Sequence, residues 1–119
     1  MNKQELLKRT KGYALRVIKA VQAMPRNDVG DVLGRQLLRA GTSVGANYRA
    51  ACRAKSTADF VNKLKIVEEE CDESLYWMEL LVESGVLSLR RLELLMQESD
   101  ELLAIFVAAI KTTRTGRQS

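Results

Sequence analysis

Carboxylates one helical turn apart are the residues of this sequence whose spacing could support catalysis or metal binding. Glu69 and Glu73 stand at i and i+4, which places both on one helix face, where they could act as an acid–base pair or as metal ligands. The sequence has no histidine, which excludes Ser-His and Cys-His catalysis and most zinc sites. Because the same spacing is common on solvated helices, we expect no enzyme, no metal site and no cofactor.

The arginines and lysines of the first half are a second group with chemical potential. At about 100° per residue, the arginines of the second predicted helix fall within an arc of about 80°. Basic residues of the first predicted helix also share a face, and two adjacent basic stripes attract polyanions by releasing counterions. We therefore predict binding of RNA or DNA through Lys8, Arg9, Arg16, Lys19, Arg35, Arg39, Arg49 and Arg53.

The charge of the chain is divided between its two halves. Residues 1–55 contain 12 Lys or Arg and 3 Asp or Glu, whereas residues 56–86 contain 2 basic and 8 acidic residues. A basic half is thus joined to an acidic helix. The arginines could pair with that helix, within a subunit or between subunits, instead of binding an outside polyanion.

Hydrophobic periodicity predicts four helices, over residues 2–24, 29–55, 57–84 and 88–113, with a frayed tail at 114–119. Pro25 to Asp28, the capping-box pattern at Ser56 and the pair Gly85 and Ser88 mark the three turns. Residues 1–119 therefore form one domain, an all-α, antiparallel up-down-up-down four-helix bundle. The apolar stripe of the third helix is Phe60, Leu64, Val67, Cys71, Leu75, Met78 and Val82.

The third helix carries a second apolar strip outside this core stripe. Large apolar residues interleaved with charges are typical of a partner surface, with the tryptophan as its anchor. We predict that this strip is an oligomer interface made by Ile66, Glu70, Glu73, Trp77 and Leu80. The arginine stripe of a neighbouring subunit could pair the two glutamates. In the alternative interpretation, Trp77 covers the edge of its own bundle.

The second helix also has small residues on one side, among them Gly34, Gly41 and Gly45. Glycine inside a helix costs about 1 kcal/mol relative to alanine, so three on one side indicate that another backbone comes close. The neighbour is either the first helix or another subunit.

The cellular setting follows from the cysteines and from hydropathy. Cys52 and Cys71 do not form a CxxC pair, and with no secretion signal they are expected to be reduced thiols. The longest apolar run, residues 102–110, is too short to span a bilayer. We expect a cytoplasmic protein without a membrane partner.

The segment SVGANYRAACRAKSTADFVNKLKIVEEECDESLYWMELL, residues 43–81, resembles the central signature of a bacterial family of four-helix-bundle proteins. Its members are labelled 23S ribosomal RNA intervening-sequence proteins, because some are encoded within insertions in 23S rRNA genes. The resemblance extends over roughly residues 5–113. It implies a ring-shaped homopentamer, and a related branch, the accessory variability protein of diversity-generating retroelements, is similar in fold and works with a reverse transcriptase on RNA and DNA.

One position departs from the pattern of the family. Many members have a glutamate three residues after the asparagine of the signature, where this chain has Ala50. If that glutamate belongs to a polar site in relatives, the site is incomplete here.

The sequence therefore leaves two functions open. The first is a non-enzymatic oligomer that binds RNA or DNA through its basic stripes. The second is a structural adaptor ring that binds a protein partner and uses its arginines in salt bridges between subunits.

Overall fold

Four helices account for most of the structure, a computed structural model that describes residues 1–116. Helix α1 spans Lys3–Gln22, α2 Asp28–Ala51, α3 Thr57–Glu83 and α4 Leu89–Arg114. Residues 1–116 contain no strand, so the fold is an all-α four-helix bundle of 47 × 21 × 20 Å. None of the four helices is long and apolar enough to cross a membrane.

Side-chain caps explain where three of the helices begin. Asn2 forms a capping box with Glu5, and the Asn27 side chain accepts a hydrogen bond from the Gly30 N–H at 2.8 Å. The Ser56 hydroxyl accepts from the Asp59 N–H at 3.1 Å. These bonds satisfy backbone donors that the first helical turn leaves free. Ser88 stands at the N-cap of α4 but makes no side-chain capping bond.

Helix α2 ends at Ala51, earlier than the predicted end at Lys55. The Arg53 and Ala54 N–H groups bond to carbonyls three residues back, which tightens the last turn. The Lys55 N–H donates instead to the Asp59 carboxylate at 3.1 Å. The Lys55 N–H is thus bonded to the first turn of α3 and is not available to continue α2. At the other end of the chain, α4 continues to Arg114, the first residue of the predicted frayed tail, and residues 117–119 lie outside the described part.

The four helices surround one core in cyclic order. Helix α1 contacts α2 and α4, and α3 contacts the same two helices, so α1 and α3 lie at opposite corners. The largest side chains that are fully buried include Tyr13, Leu37, Leu64, Met78 and Phe106. This arrangement gives the bundle four separate lateral faces, each formed by two helices.

The core stripe of α3 differs from the prediction at three positions. Its buried residues are Val61, Leu64, Val67, Cys71, Ser74, Met78 and Leu81. Phe60, Leu75 and Val82, which were expected inside, are only partly buried. Ser74 takes the place of Leu75 because its hydroxyl donates to the Glu70 carbonyl at 2.8 Å and so needs no water. On α2, apolar periodicity places Val29 on the core side, but it lies in the first turn of the helix and 53% of its surface is exposed.

A buried polar contact joins three helices at one level of the bundle. The Tyr13 hydroxyl of α1 lies 2.5 Å from the Ser99 hydroxyl of α4, and the Cys71 thiol of α3 donates to the Ser99 carbonyl at 3.3 Å. Burial raises the pKa of Tyr13 to about 12 and that of Cys71 to about 12. Both groups are therefore neutral and held by hydrogen bonds inside an otherwise apolar core.

Candidate nucleic-acid interface

A groove runs between α1 and α2 on one lateral face of the bundle, with a volume of about 750 Å³. We call it the α1/α2 groove. Three lysines of α1 line it, together with one arginine in the last turn of α2 and one just after that helix, and no carboxylate does. The residues that line it are Lys3, Gln4, Leu7, Lys8, Lys11, Ala14, Thr42, Gly45, Ala46, Arg49, Cys52 and Arg53.

The glycines of α2 set the distance between the two sides of this groove. A Cβ at Gly41 would lie 2.8 Å from both methyl groups of Val17, and one at Gly45 would lie 3.3 Å from the Thr10 carbonyl oxygen. Side chains larger than hydrogen at these two positions would push α1 away. The neighbour of the small-residue strip is therefore the first helix of the same chain, one of the two alternatives left by the sequence.

The five cations of the α1/α2 groove are not engaged by acids of their own chain. Within residues 1–116, none of Lys3, Lys8, Lys11, Arg49 and Arg53 lies in an ion pair. The lysines at 8 and 11 and both arginines are exposed. Their charges are available to an external anion.

Arg9, which was predicted to contact phosphates, is held by α4 instead. Its Nε and Nη2 donate to the two Glu98 carboxylate oxygens at 2.7 Å each, and Nη2 also donates to Glu101 at 2.8 Å. The hydrogen bonds to Glu98 raise the pKa of Arg9 further above its ordinary value. This two-point contact with Glu98 uses the donors that a phosphate would need.

Arg39 is held in a similar way on the neighbouring face of the bundle. Its Nη1 lies 3.3 Å from Glu70 Oε2, and its Nη2 contacts Glu73 Oε1. Glu73 also accepts a hydrogen bond from Trp77 Nε1 at 3.2 Å. Of the two pairings left open by the sequence, within a subunit or between subunits, these glutamates make one with an arginine of their own chain.

The remaining predicted phosphate contacts lie elsewhere on the bundle. Arg16 and Lys19 line a second groove, between α1 and α4, together with Arg91 and exposed Leu94; its volume is about 530 Å³, and we call it the α1/α4 groove. Arg35 lies beside a small cavity at the α1–α2 turn. Of the eight predicted residues, the α1/α2 groove thus brings together Lys8, Arg49 and Arg53.

Sequence reasoning missed Lys3 and Lys11, which complete the α1/α2 groove. On a helical wheel, both fall on the side of α1 that also carries Leu7 and Ala14. The apolar stripe shows which side of α1 faces the core. It does not show which helix packs on either flank of that side, so no neighbour could be assigned to Lys3 and Lys11. With the position of α2 beside this flank of α1 known, a helical wheel would have predicted both lysines as part of the groove.

The predicted interface strip of α3 lies on the flank that Arg39 contacts, and we call this surface the α2/α3 face. Ile66 is 44% exposed and Tyr76 is 52% exposed. Trp77 is partly buried against the core, and the Tyr76 ring packs on it edge-on at a centroid distance of 5.2 Å. Part of the Trp77 side chain thus packs on its own bundle, while Ile66 and Tyr76 leave apolar surface exposed. Tyr76 was not among the predicted interface residues.

Metal ligands are not grouped in the described part of the chain. Residues 1–116 contain no cluster of three or more His, Cys, Asp or Glu side chains that could hold a metal ion. Cys52 and Cys71 are free thiols, and Cys52 lines the α1/α2 groove.

Fold and surface together define a class of protein: a small all-α bundle with a lateral groove lined by cations. The chain belongs to the family described as "23S rRNA-intervening sequence protein", which it matches over residues 2–108. It is similar to a crystal structure of a protein of unknown function from the S23 ribosomal protein family of Bacteroides thetaiotaomicron VPI-5482. The two are 33% identical, the match covers 94% of this chain and 100% of the other, and the TM-score is 0.84. No curated protein matches the sequence.

Proposed function

We propose that this protein is a non-enzymatic, oligomeric, cytoplasmic protein that binds RNA or DNA through the α1/α2 groove. The observation that carries the proposal is the group of five cations that share one groove without a carboxylate among its lining residues. Phosphate neutralisation by Lys and Arg releases counterions and supplies most of the affinity of non-specific nucleic-acid binding.

The experiment that tests the proposal is a fluorescence anisotropy titration of a labelled structured RNA and a duplex DNA at several salt concentrations. Five phosphate contacts predict a slope of log Kobs against log salt of about −4.5 for duplex DNA. In the variant Lys8→Gln, Lys11→Gln, Arg49→Gln, Arg53→Gln, we expect that slope to approach −1, since each lost contact removes about 0.9.

A control variant removes the same number of charges elsewhere. Arg26→Gln, Arg90→Gln, Lys111→Gln, Arg114→Gln neutralises four exposed cations that line neither the α1/α2 groove nor the α1/α4 groove. We expect it to keep the salt slope of the wild type within about one unit. Equal losses in the two variants would mean that binding uses the overall charge and not the groove. Absence of binding at low salt would reject the proposed function.

The topology that we propose for the bundle is antiparallel, up-down-up-down. Contacts between α1 and α2 support it, because successive positions along α2 meet earlier positions of α1: Gly34 lies against Met24, Gly41 against Val17 and Gly45 against Thr10. The short connections between consecutive helices agree with antiparallel neighbours.

The oligomer that we propose is a ring, and the family resemblance suggests five copies. Exposed apolar surface supports self-association: Ile66 and Tyr76 lie on the α2/α3 face, and Leu94, 67% exposed, lies in the α1/α4 groove. These surfaces are on opposite sides of the bundle, since α1 and α3 occupy opposite corners. Contact between two unlike faces is heterologous, and repetition of such a contact closes a ring when the rotation permits. The α1/α2 groove lies on another side and would stay open.

Native mass spectrometry tests the ring, with five times the 13.4 kDa of one chain as the expected mass. Ile66→Glu and Leu94→Glu should each reduce the mass, because each puts a charge into the proposed contact. Leu15→Glu is the matched control, since Leu15 is 58% exposed on α1 and outside both surfaces. An unchanged mass in both interface variants would rule out this pair of faces.

The second candidate function is an adaptor ring that binds a protein partner. The exposed Tyr76 and Ile66 favour it, because aromatic and apolar surface is typical of protein contacts. The adaptor becomes the leading function if an intact ring fails to bind nucleic acid at low salt.

A further inference from the structure

The α1/α2 groove has features that select one part of a nucleic acid. We infer that it takes a single row of backbone phosphates and leaves the bases outside, so that it does not read sequence. This inference rests on the proposed function, and it adds which chemical group the groove recognises.

The cations are arranged as two facing rows. Lys3, Lys8 and Lys11 line one side of the groove along α1, and the span from Lys3 to Lys11 is about 12 Å at 1.5 Å per residue. Arg49 and Arg53 line the other side. A groove of this length holds a short run of consecutive phosphates from one strand. Cations on both sides of one groove suit one line of anions between them.

The floor of the groove offers no platform for a base. The lining combines the small residues Ala14, Gly45 and Ala46 with Leu7 and Gln4, and it contains no aromatic side chain. Proteins that bind single strands through their bases stack them on aromatic rings. The Thr42 hydroxyl already donates to the Leu38 carbonyl at 2.7 Å, which leaves the Gln4 amide as the main uncharged polar group of the lining. The groove therefore offers charge to a phosphate and little to a base.

The same chemistry can come from two sources, a flexible single strand or the backbone ridge of a duplex. Both present one row of phosphodiester anions, and the cation arrangement fits either. A direct comparison of the two as probes identifies the source.

The test compares four probes by anisotropy or competition at low salt. They are a single-stranded DNA of about twelve nucleotides, within the site sizes typical of single-strand binding; the same strand with an abasic sugar at each position; the corresponding duplex; and linear inorganic polyphosphate. We expect the abasic strand to bind within about threefold of the normal strand, because it keeps every phosphate. We expect polyphosphate to displace both strands completely.

Two alanine variants test whether the phosphates lie in the groove. Ala46→Trp fills the groove without removing a charge, and we expect about tenfold weaker binding of the single strand. Ala108→Trp, at an exposed alanine of α4, should bind as the wild type does. Tighter binding by Ala46→Trp would mean that bases reach the floor and stack there, which would overturn the inference.

The outcomes separate the inference from the function on which it rests. A loss of tenfold or more with the abasic strand overturns the inference and leaves nucleic-acid binding intact. If no nucleic-acid probe binds, both the inference and the proposed function are rejected. If the probes bind but polyphosphate displaces none of them, only the inference of a phosphate row is rejected. If binding is retained without bases, preference for the single strand or the duplex then identifies which backbone the groove accepts.

Discussion

Helix α2 and the turn that follows it contribute arginines to two faces of the bundle, and the surroundings of these arginines differ. Arg49 and Arg53 line the α1/α2 groove opposite lysines of α1. Arg39 lies on the α2/α3 face, where Glu70 and Glu73 of α3 hold it. The three arginines share one stripe of α2 in the sequence, yet the helix beside each decides its role. A basic neighbour leaves an arginine open to outside anions, whereas an acidic neighbour makes it part of the fold.

The largest expected effect is a loss of nucleic-acid affinity when the charge of the groove arginines is reversed. Arg49→Glu, Arg53→Glu should weaken RNA and DNA binding on the order of a hundredfold at low salt, since two attractions become repulsions. Arg35→Glu, Arg39→Glu changes the net charge equally on the same helix and should weaken binding far less. Anisotropy titrations at one salt concentration compare the two. Equal losses would mean that the groove has no special role.

The next effect concerns the spacing of the α1/α2 groove. Gly41→Ala should lower the free energy of unfolding by about 1–3 kcal/mol, because its Cβ would meet Val17 at 2.8 Å. Gly12→Ala, where no atom lies within 4 Å of the new Cβ, should raise stability by about 0.5–1 kcal/mol through helix propensity. Urea unfolding measures both changes. A neutral Gly41→Ala would show that the two helices can separate at little cost.

Arg9 gives a third test, because it is a basic residue of α1 that an acidic neighbour holds. Arg9→Gln should lower the free energy of unfolding by about 1–3 kcal/mol, as expected for hydrogen bonds to charged partners. Affinity for nucleic acid should change by less than about twofold, since Glu98 and Glu101 already occupy the guanidinium. A tenfold loss of affinity with no loss of stability would return Arg9 to the binding surface.

Arg39→Gln should have a smaller effect on stability than Arg9→Gln. The Arg39 side chain is 48% exposed, and ion pairs in water contribute about 0–1 kcal/mol. Thermal unfolding at low and high salt checks this, because screening should reduce the difference from the wild type. A loss as large as that of Arg9→Gln would mean that the α2/α3 face is more rigid than its exposure suggests.

A last effect concerns the core, where a buried thiol makes the free energy of unfolding depend on pH. Burial raises the pKa of Cys71 from 9.0 to about 12. A raised pKa means that the folded state holds its proton more tightly, so this stability is complete below pH 9 and is lost as pH rises toward 12. At pH 10 the loss is about 1 kcal/mol. Thermal unfolding against pH should show a shallower alkaline decline for Cys71→Ala than for the wild type.

The number and order of the helices could be predicted from sequence, because apolar periodicity and capping residues are local signals. The buried serines could not, since Ser74 is acceptable inside only when its hydroxyl finds the Glu70 carbonyl. Lys3 and Lys11 were missed for a different reason. A helical wheel shows which side of α1 faces the core, but the position of α2 relative to that side depends on the handedness of the whole bundle. Likewise, the pairing of Arg39 with Glu70 and Glu73 can be predicted only when the helix faces that α2 and α3 turn toward each other are known.

The position of Trp77 has a spectroscopic consequence. It is the one tryptophan of the sequence, and its indole N–H donates to Glu73, which also contacts Arg39. Indole emission therefore originates on the α2/α3 face, away from the α1/α2 groove. The chain contains its own optical reporter of one surface, which should shift its emission when copies associate there and remain nearly silent when an anion enters the groove.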